Sequence, residues 1–186
     1  MSVRRVVTGV DGAGKSVFVD DEQVEPITIG LMPGIEFQPL WGADEQVVLP
    51  TDGTPPDAPA YFPPAGGFRV GFVSIPPEGE RPEGPAPGTP ASEASPTMEE
   101  VEEKLPGLLG HMEPDHPGMH TTDTVDFDVV LSGDIWVELD DGAEVHLQTG
   151  DCIVQNGTRH AWHNRSSQAC VLAVTTIGAS RGVADS

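Results

Sequence analysis

The residues best suited to chemistry in this chain are its six histidines, all in its second half; five of them (His111, His116, His120, His160 and His163) matter for a site, and His146 lies on a separate strand. The run from Met119 to Asp126 reads as extended backbone. Side chains on a strand alternate with period two, so His120, Thr122, Thr124 and Asp126 share one face. A second run, His160-Ala161-Trp162-His163-Asn164, puts His160, Trp162 and Asn164 on one face and His163 on the other. Two imidazoles from distant segments and one carboxylate on an inward face form a donor set for a divalent ion of the Zn, Fe, Mn or Ni class. The expected ligands are His120, His160 and Asp126, with His116 as a fourth if Pro117-Gly118 turns the chain back. Such an ion would polarise a carbonyl or hydroxyl, or bind dioxygen if it were iron. The same residues also read as a pair of interior histidines hydrogen-bonded to Asp126 or Thr122 without any metal.

Four neighbours could shape a substrate site. Trp162 is a pocket wall or ordinary core, and Thr122 and Gln155 are polar groups facing inward or packed in place. Arg159 is a clamp for a substrate carboxylate or the partner of a surface acid. His111, His146 and His163 read as surface residues, Asp123 as structural, and Trp41 and Trp136 as packing.

A separate run, Gly9-Val10-Asp11-Gly12-Ala13-Gly14-Lys15-Ser16, matches the spacing of a phosphate-binding loop. That chemistry needs a helix to open at Lys15-Ser16 and present its amides. The β-branched Val17-Phe18-Val19 that follows predicts a strand instead, so the run is read as a hairpin turn and nucleotide binding is not expected.

The elements that must position these groups are predominantly β. The chain has 22 glycines and 19 prolines in 186 residues, which disfavours a helical bundle. Strands are predicted at Arg4–Thr8, Ser16–Val19, Gln46–Leu49 and Phe68–Ile75, with Tyr61 and Phe62 as packing anchors in a loop. The proline-rich stretch Pro76–Pro96 predicts a mobile loop. One short helix is predicted over Thr97–Leu105, with Ser95 as cap, Pro96 at its first position and Pro106-Gly107 as its stop. From His120 to Ile177, turn signals at Ser132-Gly133, Asp140-Asp141-Gly142, Thr149-Gly150, Asn156-Gly157 and Asn164-Arg165-Ser166 predict a sandwich or barrel. The boundaries expected are a β extension over 1–75, loop and helix over 76–110, barrel core over 111–178 and a tail over 179–186.

Acidic residues outnumber basic ones 30 to 9, for a formal charge of −21. A surface this anionic disfavours DNA, RNA and acidic lipid partners. With no apolar secretion signal read at the N-terminus, Cys152 and Cys170 are expected as reduced thiols and the compartment as cytoplasmic.

Residues 118–177 resemble the cupin superfamily. His120 falls on the first histidine position of that family's first motif, Thr122 on the second, Asp126 where the family has glutamate, and Gly133 on its closing glycine. Gly150, Gly157, His160 and Asn164 match the second motif, which here is one residue shorter and lacks its proline. The segment Arg4–Gly9 together with these runs looks like a bacterial subgroup with an N-terminal extension. The resemblance implies an all-β double-stranded β-helix, a jelly-roll barrel with an N-terminal β extension and one short helix, commonly assembled as a homodimer. It implies a metal-dependent protein acting on a small organic molecule, by dehydration, isomerisation or cyclisation. The alternatives are a small-molecule binder without catalysis, motivated by the loss of one histidine to Thr122, and an iron-dependent dioxygenase.

Overall fold

The computed structural model describes residues 2–80 and 97–182. Strands β1 (Val3–Val10) and β2 (Ser16–Val24) form a separate antiparallel hairpin. In its turn the Asp11 amide donates to the Lys15 carbonyl, and the Asp11 carboxylate accepts the amides of Ala13 and Lys15. The amides that a phosphate would need are therefore held by the chain's own carboxylate, a common use of aspartate in turns. The backbone then continues as strand, so the glycine-lysine run is a hairpin turn, as its sequence predicts.

Eight further strands build two antiparallel sheets. These are β3 (Glu36–Ala43), β4 (Phe68–Ile75), β5 (Thr124–Ser132), β6 (Asp134–Glu138), β7 (Glu144–Gln148), β8 (Cys152–Asn156), β9 (Ala161–His163) and β10 (Cys170–Gly178). The larger sheet has the order β3-β4-β10-β5-β8 and the smaller β7-β6-β9. From β5 onward the chain passes repeatedly between the two sheets, which is the winding of a jelly roll. Alternation sets the inner face of β5: Thr124, Asp126, Asp128 and Val130 are buried while Phe127 is exposed.

One core lies between the sheets, with Val130, Cys170 and Leu172 from the larger meeting Ile135, Val137 and Leu147 from the smaller. Each such aliphatic side chain stabilises the fold by about 1.5–3 kcal/mol on burial. A second core forms where helix α1 (Met98–Lys104) lays Val101, with Leu105 and Leu108 beyond it, against Ile29 and Phe37. The Thr97 hydroxyl caps α1 by accepting the Glu100 amide, and Lys104 pairs with Glu100 one turn earlier. Thr97 thus takes the role expected of Ser95, which with Pro96 lies outside the described residues. Among those residues no helix is long and apolar enough to cross a membrane.

The structure corrects the expected layout in one place. Gln46–Leu49 is not a strand: Val48 and Leu49 are about four-fifths exposed and pair with nothing in a sheet. The strand in that region is β3, hidden from a sequence reading by Pro39 and Gly42. β4, at the end of the expected 1–75 extension, pairs with β10 of the expected 111–178 core along its whole length. Most of the Pro76–Pro96 loop and residues 183–186 of the tail lie outside the described residues.

Candidate functional site

His120 and His160 oppose each other across a two-way backbone bridge. The His120 amide donates to the His160 carbonyl at 2.9 Å and the His160 amide returns the bond at 3.0 Å. Residues paired in this way point their side chains to the same side with Cα atoms about 5.5 Å apart. The two rings accordingly stand 4.2 Å apart between centroids, tilted by 52°. Each ring is oriented by its own loop: Nδ1 of His120 lies 3.0 Å from the Gly118 carbonyl, and Nδ1 of His160 lies 2.9 Å from the Thr158 carbonyl.

A carbonyl can only accept, so each Nδ1 carries the hydrogen. Burial holds both imidazoles below the usual histidine range. His160 is pushed down to about 4, first by burial and then by His120. At neutral pH both rings are uncharged, with the lone pair on Nε2.

Asp126 and Asp128 follow from the alternation of β5. They are 5% and 3% exposed, and each has a buried Oδ1 without a hydrogen-bond partner. Burial raises Asp126 to about 6, with the Thr124 hydroxyl pulling the other way. Asp128 is raised to about 8, by burial first and then by Asp126. Register extends this polar spot across the sheet, with Thr176 of β10 and Gln155 of β8 both opposite Asp126. The Thr176 hydroxyl and the Gln155 Nε2 are likewise buried without partners, while the Gln155 Oε1 accepts the Thr158 hydroxyl at 2.6 Å.

These groups, Gln155 apart, border a cavity of about 1000 Å³. That is the upper end of the range for pockets that hold small molecules. Phe37, Trp41, Tyr61, Phe62, Phe72 and Trp162 supply its aromatic wall. His120, His160, Asp126, Asp128 and Thr176 supply its polar patch. Gly71 keeps the space open on the inner face of β4, where a β-carbon would stand 2.8 Å from the Gln38 carbonyl. Burial, and then the charges of Asp128 and Asp126, raise the Tyr61 phenol, so it stays neutral.

The expected site residues separate accordingly. His120, His160, Asp126 and Trp162 border one cavity, and Trp162 meets His160 edge-on at 5.9 Å between ring centroids. His116 does not join them: it sits in an exposed turn with Nδ1 3.3 Å from Glu113. Thr122 is buried away from the cavity lining, its hydroxyl accepting that of Thr124 at 2.7 Å. Arg159 is held by Glu113 through two bonds of 2.6 and 2.7 Å and by Asp140 at 3.0 Å. It is the partner of surface acids, not a clamp at the cavity. Asn164 is structural, donating to the carbonyls of Ile75 and Gln168. His163 is only partly exposed, because Glu78 and Glu138 hold its two ring nitrogens. His146 is exposed and stacks on Trp136 at 4.0 Å.

Among the described residues no group of three or more His, Cys, Asp or Glu side chains stands close enough together to hold a metal ion. Two imidazoles alone fall short of the three or four protein ligands of zinc sites. The described residues, as placed, do not fit a resident metal centre.

A sequence reading misses Asp128, Thr176 and Tyr61. Asp128 lies two residues beyond Asp126, so the period that found one could have found both. Thr176 and Tyr61 become neighbours of the site only through sheet pairing and loop packing.

Similarity to known proteins is partial. No family model matches the chain. Phomopsin biosynthesis cluster proteins C' and D of Diaporthe leptostromiformis are each 49% identical to it over 51 residues, 27% of this chain and 27% of theirs. Oryzines biosynthesis cluster protein J of Aspergillus oryzae is 44% identical over 55 residues, 27% of this chain and 31% of that protein. The chain thus spans about a quarter to a third of the length of the curated relatives it matches, and these relatives are fungal, in place of the bacterial subgroup that the motifs resemble. Among solved structures, the cupin domain of Schizosaccharomyces pombe Cnp3 is 11% identical, with a TM-score of 0.48 over 94% of this chain and 87% of that one. A cupin family protein of Methanocaldococcus jannaschii with a double-stranded β-helix fold is 9% identical, with a TM-score of 0.37 over 62% and 73%. The fold itself is given by the strand order: a mostly β jelly roll with one short α-helix among the described residues.

Proposed function

We propose that this chain acts on a small, largely apolar organic molecule held in the cavity, and that the His120–His160 pair takes a proton from it. The reaction class is proton transfer, as in isomerisation, dehydration or cyclisation. The observation that carries this reading is the pair of uncharged imidazoles lining the cavity, each with Nδ1–H held by a backbone carbonyl and with Nε2 bonded to none of the described residues. A positioned base contributes roughly 10²–10⁴-fold to a proton-transfer rate. The apolar wall supplies binding, and the carboxyl patch supplies polar contacts. The fungal relatives, proteins of biosynthesis clusters, suit a role in building an organic compound.

The test uses 5-nitrobenzisoxazole, an apolar probe that opens to a coloured phenolate when a base removes its ring proton. The full chain should accelerate this opening, and His120→Asn and His160→Asn should each reduce the rate at least tenfold. Equal rates in the native and both variant proteins would overturn the base assignment. A neutral dye such as Nile red, retained by a protein that does not open the probe, would favour a second reading, a binder without turnover. The predominance of apolar side chains around the cavity supports that alternative.

A further inference from the structure

The polar patch of the cavity is built for something the chain itself does not provide. Asp126 and Asp128 present unpartnered, buried Oδ1 atoms, and Thr176 an unpartnered hydroxyl, on two neighbouring strands of one sheet. A buried acceptor without a donor costs about 1–3 kcal/mol, and more when charged, so such a group stays functional only if a partner arrives.

The cations that border the cavity are already engaged. Arg69 stands in the same cross-strand row as Thr176 and Asp126. Its guanidinium binds Asp44 and the carbonyls of Ala43, Ala60 and Phe68. Lys104 binds Glu100 and the Thr28 carbonyl, and the rim acid Glu78 is matched by His163. The two imidazoles are uncharged and the Tyr61 phenol is neutral. Asp126 and Asp128 therefore border the cavity with no cation among the described residues bonded to either, inside a chain of formal charge −21. That field repels anions and draws cations inward.

We infer that the cavity selects molecules pairing an apolar body with a basic amine, whose ammonium group donates to Asp126, Asp128 and Thr176 while the body lies against the aromatic wall. An ammonium has three donors, and the patch offers three unpartnered oxygens. Tyr61, whose phenol lies within electrostatic reach of Asp126 and Asp128, lines the same cavity. Carboxylate or phosphate ligands meet no free positive group among the described residues and are disfavoured. This assignment rests on the cavity being the ligand site, as proposed above, and adds the chemical class of what enters it.

Three probes of one size separate the possibilities: 2-phenylethylamine, 2-phenylethanol and phenylacetate, titrated into the full chain at pH 7.5 by calorimetry. The amine should bind about tenfold more tightly than the alcohol, in line with the greater strength of charge-assisted bonds. Phenylacetate should bind more weakly than either. In Asp126→Asn/Asp128→Asn the preference for amine over alcohol should vanish while the alcohol still binds. If alcohol and amine bind equally to the native chain, the amine assignment is wrong and the cavity reading stands. If none of the three binds, the cavity reading fails with it. The native series decides the matter alone if the double variant does not fold.

Discussion

Replacing Asp128 by asparagine should change the pH dependence of stability in a way that burial predicts. In the unfolded chain an aspartate ionises near pH ~3.9. In the folded protein Asp128 keeps its proton up to about 8. Across that window the native state binds the extra proton, so the stability contributed by this group is complete below about pH 4 and is lost as pH rises through 8. Asp126 acts in the same direction up to about 6. His160 acts in the opposite direction: lowered to about 4 from 6.5, it leaves the unfolded state with more protons between those values, so stability rises there.

Below pH 6.5 the carboxyl and imidazole effects therefore largely offset one another. Above it, Asp128 alone remains among these groups. One proton over roughly 1.5 pH units, at about 1.36 kcal/mol per unit, gives a loss of about 2 kcal/mol. For a domain of this size that corresponds to a fall in Tm of roughly 4–8 °C. Thermal melts by circular dichroism at pH 6.5, 7.0, 7.5 and 8.0 measure it. The native protein should lose stability across the series, and Asp128→Asn should remain nearly level and overtake it at pH 8. A level native curve, or an equal fall in both proteins, would refute the assignment of a buried, protonated Asp128.

Three other expectations concern the frame around the site. Val101→Ala removes a fully buried side chain beneath α1 and should lower stability by roughly 1–3 kcal/mol in urea titrations, without changing the calorimetric binding of 2-phenylethanol. Gly178→Ala places a β-carbon 1.8 Å from the Pro64 carbonyl oxygen, so β10 or its neighbouring loop must shift; a Tm within 2 °C of native would contradict that contact. Magnesium-ATP should leave the melting temperature of native protein and Lys15→Ala the same, because the Asp11–Lys15 turn already uses its own amides.

What the sequence made legible was governed by local rules. Phe68–Ile75 is unbroken by proline and rich in β-branched and aromatic residues, and β4 has those bounds. The prediction for α1 succeeded because acidic residues, apolar spacing and the Pro106-Gly107 stop coincide within a few residues. Alternation accounts for Asp126 on β5 and for Trp162 beside His160, whereas His120 reaches the cavity through its isolated backbone bridge to His160, ahead of β5, and Thr122 does not follow the expected face. Long-range pairing escaped the sequence reading. Nothing local shows that β3 exists beside Pro39, or that the loop carrying Tyr61 and Phe62 forms part of the cavity wall. For Arg159 the sequence left open a substrate clamp or a surface-acid partner, and pairing between surface side chains decides it. Arg159 is fixed by Glu113, 46 residues away, and His116 shares that same carboxylate. Electrostatic partnership between surface side chains leaves no periodic trace in a sequence.

The position of β10 between β4 and β5 has a consequence for how this protein is made. A ribosome delivers β3 and β4 first, yet the strand that joins them to β5 is the last in chain order among the described residues. Until Cys170–Gly178 emerges, both β4 and β5 carry an unsatisfied edge, the kind of surface that recruits foreign strands. Closure over such sequence separation is slow, so the nascent chain should depend on holding chaperones more than its modest size suggests.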